Sequence, residues 1–223
     1  LRNAAGTDID GISLVVFVPP NVFVEPGNIT AVENSCTTLS CNCGCSIQPL
    51  WFKSNQLIHY NGSQSQYTLL ANGSLHINIS RHTTGHYSCE IRTSYWNVRS
   101  EHVKLEVWYL DDGYITGEQL VYEGQNISLT CNGSGNPYPT FAWYLDGRQQ
   151  KTGSRKIVHG NKLTIFNATT SDGGKYTCVT FNKAGQVSHA VDVTIENIPS
   201  IQMLDNIPKY IVNGTAVQFT CQW

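Results

Sequence analysis

The fold of this chain turns on the stretch Asp172-Gly173-Gly174-Lys175-Tyr176-Thr177-Cys178. A shorter copy, Gly85-His86-Tyr87-Ser88-Cys89, lies upstream. Each is preceded by a Leu-x-Ile run, Leu163 to Ile165 or Leu75 to Ile77, and before that by a tryptophan, Trp143 or Trp51. Further upstream a second cysteine closes an alternating run, Glu123-Gly124-Gln125-Asn126-Ile127-Ser128-Leu129-Thr130-Cys131, and Glu33 to Cys41 follows the same pattern. A third copy runs from Asn213 to Cys221, so Cys41, Cys131 and Cys221 stand ninety positions apart. Alternation through Ile127, Leu129 and Cys131 marks a strand with one buried face. Short alternating runs broken by Gly, Asn and Pro continue throughout, which predicts an all-β chain built by repeating one module.

The order of strand cysteine, core tryptophan and Tyr-x-Cys resembles the immunoglobulin superfamily, and Asn182-Lys183-Ala184-Gly185 follows at the spacing of its I-set. The resemblance implies tandem immunoglobulin-like Greek-key β-sandwiches. It pairs Cys41 with Cys89 and Cys131 with Cys178, with Trp51 and Trp143 packed on the sulfurs and Tyr87 and Tyr176 in the core. Each bridge closes a loop of roughly 48 residues, worth about 4 kcal/mol in the chain-entropy account. The gap between paired cysteines is too short for the extra strands of a variable-type domain.

The same motifs predict the domain limits. Asn3-Ala4-Ala5-Gly6 matches Asn182-Lys183-Ala184-Gly185, so residues 1–18 read as the tail of a preceding domain. Residues 19–108 and 109–197 read as two complete domains. Residues 198–223 begin another, with Cys221 as a strand cysteine whose partner lies beyond the sequence. Both end pieces are expected to pack poorly alone, since a lone hairpin is marginal in water. Prolines at Val18-Pro19-Pro20 and Asn197-Ile198-Pro199 fix φ at the junctions and point to an extended, semi-rigid array. Trp108 and Tyr109, at the middle junction, are expected either to pack between domains or to cap the first.

Composition narrows the function. Charged residues make up 13% of 223 and the net charge is −2, which argues against nucleic acid or anionic membranes as partners. Eight Asn-x-Ser/Thr acceptors, Asn28, Asn61, Asn72, Asn78, Asn126, Asn132, Asn167 and Asn213, are expected to supply hydrophilicity through glycans instead. With eight cysteines, they place the chain outside the cell. No apolar run reaches the roughly eighteen residues of a membrane span, so membrane attachment is not expected within these residues. Nor is a nucleophile elbow, phosphate-cradling loop or supported acid pair present. The chain is therefore expected to be no enzyme, to need no cofactor and to take no small-molecule substrate.

Three cysteines exceed the family pattern. Cys36 lies an odd number of residues before Cys41 and should face away from the core, while Cys43 and Cys45 fall at the strand end and following loop. A thiolate metal cluster needs three or four converging ligands. In an oxidising compartment a second disulfide among the three is the better expectation, leaving one thiol free or paired with another chain; the sequence leaves open which two bond. His82 and His86 have metal-ligand spacing only for a helix, and they fall in a turn, so surface histidines without a metal are expected. Asp111-Asp112 provides two carboxylates where calcium wants six to eight oxygens.

The acceptors are unevenly placed. Asn126 and Asn132 are odd offsets from Cys131 and point outward, and Asn78 and Asn167 end a strand of the same sheet. On the opposite sheet of the second domain the outward positions are Ala142, Tyr144, Thr177, Val179 and Phe181, and its two strands carry no acceptor. A sugar-free face presenting Tyr144, Val179 and Phe181 has the aromatic anchors of a protein contact, or else its side chains cover one another. Tyr95-Trp96, near a hairpin tip of the first domain, forms a second candidate unless Trp96 folds back on its own sheet.

Tandem organisation with Pro-rich junctions is similar to hemicentin-type matrix arrays and roundabout-type adhesion receptors. This resemblance implies an adhesive, recognition or matrix-spacing segment whose partners are other immunoglobulin or matrix domains, with homophilic contact included. Two further readings stand beside it: ligand capture for a receptor whose catalytic domain lies elsewhere, as in receptor tyrosine kinases, and self/non-self recognition.

Overall fold

A computed structural model of the chain describes residues 18–60 and 66–197. The chain divides into two compact units between Tyr109 and Leu110, one residue beyond the limit expected from sequence. The end pieces 1–17 and 198–223, with Cys221 and Asn213, and the acceptor Asn61 lie outside the described residues.

The first unit is built from β1 (Phe23–Glu25), β2 (Ile29–Val32), β3 (Cys36–Asn42), β4 (Leu50–Lys53) and β5 (Gln56–Leu57). After these come β6 (Tyr67–Leu69), β7 (Leu75–Asn78), β8 (Gly85–Arg92), β9 (Asn97–Arg99) and β10 (Val103–Leu110). One sheet has the order β1-β3-β7-β6. The facing sheet runs β10-β8-β4-β5, with β2 pairing parallel to β10 and β9 antiparallel to β8.

The second unit repeats the plan with β11 (Tyr114–Gly117), β12 (Leu120–Tyr122), β13 (Ile127–Asn132), β14 (Gly135–Asn136) and β15 (Thr140–Leu145). It continues through β16 (Arg148–Gln149), β17 (Lys156–His159), β18 (Lys162–Ile165), β19 (Gly174–Asn182) and β20 (Gly185–Glu196). Its sheets are β11-β13-β18-β17 and β12-β20-β19-β15-β16.

In each unit the first strand changes sheets partway, and glycine permits the change in the second. Gly117 has φ +143, and a Cβ there would lie 2.3 Å from the Ser128 carbonyl oxygen. Only a residue without a side chain lets β11 close on β13 before the chain crosses to pair, as β12, with β20.

Alternation then fills the space between sheets. Ile127, Leu129, Cys131, Trp143, Leu163, Ile165, Tyr176 and Cys178 are fully buried in one core, and Leu39, Trp51, Leu75, Ile77, Tyr87 and Cys89 in the other. Register sets each tryptophan directly across from a bridging cysteine, Trp143 opposite Cys178 and Trp51 opposite Cys89. The bridges Cys41–Cys89 and Cys131–Cys178 join the two sheets of each unit.

Each tyrosine locks the turn ahead of its own strand. Tyr87 donates its hydroxyl to the Thr83 carbonyl and Tyr176 to that of Asp172, each at 2.6 Å. This is the tyrosine corner of immunoglobulin-like sandwiches, which ties a strand to the end of the preceding connection.

Replacing Cys131 and Cys178 together by Ala should cost the second unit about 4 kcal/mol. Chemical denaturation followed by tryptophan fluorescence, compared with a Trp143→Phe control that identifies the second unit's transition, measures the loss, and a change below about 1 kcal/mol contradicts the role given to the bridge.

Candidate recognition surfaces and cysteine sites

The outward rows of the β20-β19-β15 sheet follow from its register. Phe181 lies between Thr140 and Gln186, Val179 between Ala142 and Ser188, and Thr177 between Tyr144 and Ala190. Inward neighbours Tyr176, Cys178 and Thr180 are buried, whereas Phe181 is 43% exposed. Tyr144, Val179 and Phe181 therefore share one face. Between the rows is a shallow hollow of about 310 Å³, walled by Tyr144, Gly147, Thr177, Val179, Gln186 and Ser188.

The acceptors of the second unit lie on its other sheet. Asn126 precedes β13, Asn132 ends it, and Asn167 follows β18 in the left-handed region, at φ +51. The Asn126 carboxamide oxygen accepts the Asn167 backbone N–H at 3.1 Å, and Asn132 donates to Thr116 on the neighbouring strand at 3.2 Å. In the first unit Asn78 ends β7 and Asn72 lies in the turn before it. Asn28 is different: its side chain accepts the Lys104 N–H at 2.6 Å, at the edge of the β10 sheet. The separation of acceptors from the opposite sheet is thus cleaner in the second unit than in the first.

The aromatic pair at the first unit's hairpin tip divides. Thr93 organises the turn, its hydroxyl oxygen accepting the N–H groups of Tyr95 and Trp96 at 3.2 and 3.0 Å. Trp96 folds back onto the core, which removes it from the contact candidates, while Tyr95 is 70% exposed. At the middle junction Tyr109 accepts the Arg81 guanidinium over its ring at 4.2 Å, and the Trp108 carbonyl accepts the Glu33 N–H. Both contacts lie within the first unit.

The additional cysteines resolve into a short bridge and a thiol. Cys43 and Cys45 are bonded to each other, and their sulfurs pack against the first core. Gly44 between them has φ +64, the left-handed conformation that so tight a turn needs. Cys36 is unbonded and exposed at the start of β3, directly across from Asn78. His82 and His86 are exposed; the His82 carbonyl accepts the Lys53 ammonium, and the His86 ring meets the edge of His102. Asp111 accepts the Ser134 hydroxyl, whereas Asp112 lies 3.2 Å from His189. Among the described residues no group of three or more His, Cys, Asp or Glu side chains converges as metal ligands would.

Two charge clusters went unnoticed in the sequence. Asp172 is 3% exposed and accepts from Arg155 at 3.0 Å, from Lys156 at 3.2 Å and from the Thr169 N–H and hydroxyl at 3.0 Å each. Burial pushes its carboxyl up, but the Thr169 backbone N–H, Arg155, the Thr169 hydroxyl and Lys156 outweigh that and hold it at about 2. In the first unit Glu90 is buried on the outer face between Arg92 and Arg99, and Arg99 covers the Phe52 ring at 3.7 Å. Burial again raises the Glu90 carboxyl, and the two arginines bring it below the usual range. Basic side chains at positions 155 and 156 ahead of the Asp-x-Gly-x-Tyr corner were the available signal for the first. For the second, alternation alone gave no warning, because it places Glu90 outward, where a glutamate is unremarked.

Two facing sheets, an inter-sheet bridge behind a tryptophan and a tyrosine corner define an immunoglobulin-like domain, occurring twice among the described residues. A family model described as "Immunoglobulin domain" matches residues 115–182. Hemicentin-1 of Mus musculus is 32% identical over 95% of this chain, which spans 4% of that protein. The Drosophila melanogaster cell adhesion molecule Dscam2 is 26% identical over 98% of this chain and 11% of its own length. A Homo sapiens protein named probable oxidoreductase PXDNL is 27% identical over 92% of this chain and 14% of its own length. An I-band fragment of titin superimposes with a TM-score of 0.62 at 18% identity, covering 82% of this chain and 67% of the fragment. The chain belongs to the immunoglobulin superfamily and spans only a small part of these relatives' length. Among the described residues no helix is long and apolar enough to cross a membrane.

The Asp172 cluster gives a pH dependence. A carboxyl held below its ordinary value of 3.8 stabilises the fold above that value and loses its contribution as pH falls towards about 2. Asp172→Asn should cost the second unit about 1–2 kcal/mol at pH 7 and flatten its stability between pH 4 and 2, as denaturant titrations across that range would show. Iodoacetamide applied to the native, unreduced protein should alkylate Cys36 and leave Cys43 and Cys45 unmodified, as peptide mass spectrometry reads directly.

Proposed function

We propose that this chain is a non-catalytic extracellular segment that binds other proteins, of immunoglobulin or matrix type, through an immunoglobulin sheet face. The observation that carries this is the contrast between the two sheets of the second unit. Asn126, Asn132 and Asn167 lie along one sheet, and the other presents Tyr144, Val179 and Phe181 with no acceptor on any of its strands. Sugar on one side excludes partners there, while partly exposed aromatic and aliphatic side chains on the other offer apolar area and two rigid anchors. The three disulfides among the described residues fit an oxidising compartment. The adhesion name of one relative supports the reading, and the oxidoreductase name of another describes a protein of which this chain matches only 14%.

A second reading, capture of a soluble ligand by a receptor ectodomain, is favoured by Tyr95, whose exposed ring at a hairpin tip resembles a loop anchor more than a sheet contact.

Beads coated with the glycosylated chain should adhere to each other or to cells bearing immunoglobulin-type adhesion proteins. Tyr144→Ser with Phe181→Ser should reduce adhesion at least about tenfold without shifting the thermal midpoint. Adhesion untouched by that pair and lost with Tyr95→Ser would move the contact to the hairpin tip and favour ligand capture.

A further inference from the structure

The sheet face proposed above as a contact carries both halves of a self-complementary joint, and we infer that its occupant is a second copy of this chain. Phe181 is the projecting half, standing 43% exposed at the end of β19. The receiving half is the hollow of about 310 Å³ between Tyr144, Thr177, Val179, Gln186 and Ser188. A cavity of roughly 150 Å³ already takes a benzene ring, so a phenylalanine ring enters this one with space for its Cβ. Being open, the hollow accepts a ring delivered from outside.

Their relative placement matters more than either alone. Phe181 is the register partner of Gln186, which walls the hollow, and it lies two residues along β19 from Val179, which forms another wall. That separation is about 7 Å along one strand. A twofold axis lying in the interface, parallel to the sheet, across β19 and above the midpoint of the two positions, sets a second copy face to face with the first, so each copy's Phe181 meets the other's hollow. Such an isologous contact closes on itself and gives a dimer. A foreign partner would need its own matching ring and hollow; a second copy already has both.

Charge and sugar agree with this geometry. Lys175 and Asp192 are direct neighbours at the far end of the same face, beyond the joint, and the Asp146 carboxylate accepts the Lys175 N–H at 3.0 Å. Acceptors Asn126, Asn132 and Asn167 belong to the opposite sheet, so their glycans stay outside the joint.

This inference rests on the proposed contact face but is separable from it by experiment. Sedimentation equilibrium of the glycosylated chain should show a monomer–dimer equilibrium. Phe181→Ala, which removes the ring, and Ser188→Trp, which fills the hollow, should each weaken it about thirtyfold. Circular dichroism melting curves matching the wild type show that both variants fold. Mixing the two supplies one intact ring from the Ser188→Trp copy and one open hollow from the Phe181→Ala copy, so the mixture should associate more tightly than either variant alone. A wild-type chain that stays monomeric, a dimer indifferent to both substitutions, or a mixture no tighter than its components each overturns the second-copy reading. If the bead assay still depends on Tyr144 and Phe181 while the chain in solution is monomeric, the contact face stands and only its occupant changes.

Discussion

Everything else in each unit depends on the pressing of an indole against a sulfur bridge between two sheets. In the second unit Trp143 lies directly across from Cys178, which is bonded to Cys131 on the facing sheet. Two sheets with one apolar face each have many ways to stack, and sliding costs little while the core is only greasy. A covalent tie at one point, with a large rigid ring filling the space beside it, removes that freedom. Register follows, and with it the side on which every other residue emerges, because a slip of one residue turns a strand inside out. The outward placement of Tyr144, Val179 and Phe181 is thus a consequence of Cys178 pointing inward.

The units lock the turn before their tyrosine strand by different chemistry. In the second, a buried carboxylate gathers two cations and two hydrogen bonds from Thr169. In the first, Thr83 occupies the corresponding corner, its hydroxyl accepting the Ser80 N–H at 3.2 Å and donating to the Ser80 carbonyl at 2.7 Å. The charge has moved to the surface there, where Arg81 grips both oxygens of Glu33 and lies over Tyr109. A neutral corner is insensitive to acid, whereas the buried carboxylate holds its two cations only while it stays ionised. One fold therefore carries two different responses to pH along a single chain.

How much of this was legible beforehand follows the range of each interaction. Period-two alternation and cysteine spacing are local, and from them the strands around Cys41, Cys89, Cys131 and Cys178, the core tryptophans and the outward row of β19 could be read. Contacts set by the path of the chain in space were not readable. The crossing of the first strand between sheets depends on Gly117 fitting under the Ser128 carbonyl, which no pattern announces. Asp172 meeting Arg155 and Lys156, Asn28 turning to the β10 edge, and Trp96 returning to the core all join residues whose separation says nothing of their proximity. The choice of Cys45 over Cys36 as partner for Cys43 is of the same kind: alternation puts Cys36 outward, but only the left-handed turn at Gly44 brings the other two sulfurs together.

That small ring also separates two things disulfides usually do at once. The Cys41–Cys89 bridge spans 48 residues and restrains the unfolded chain accordingly, whereas Cys43–Cys45 spans two and removes less than half as much chain entropy. It adds little to the anchoring of the sandwich. What it governs is the shape of a loop lying against the core, much as a staple sets the curl of a page without binding the book. Opening it should therefore cost the sandwich far less than opening Cys41–Cys89, and act mainly on the relief of one end of the first unit.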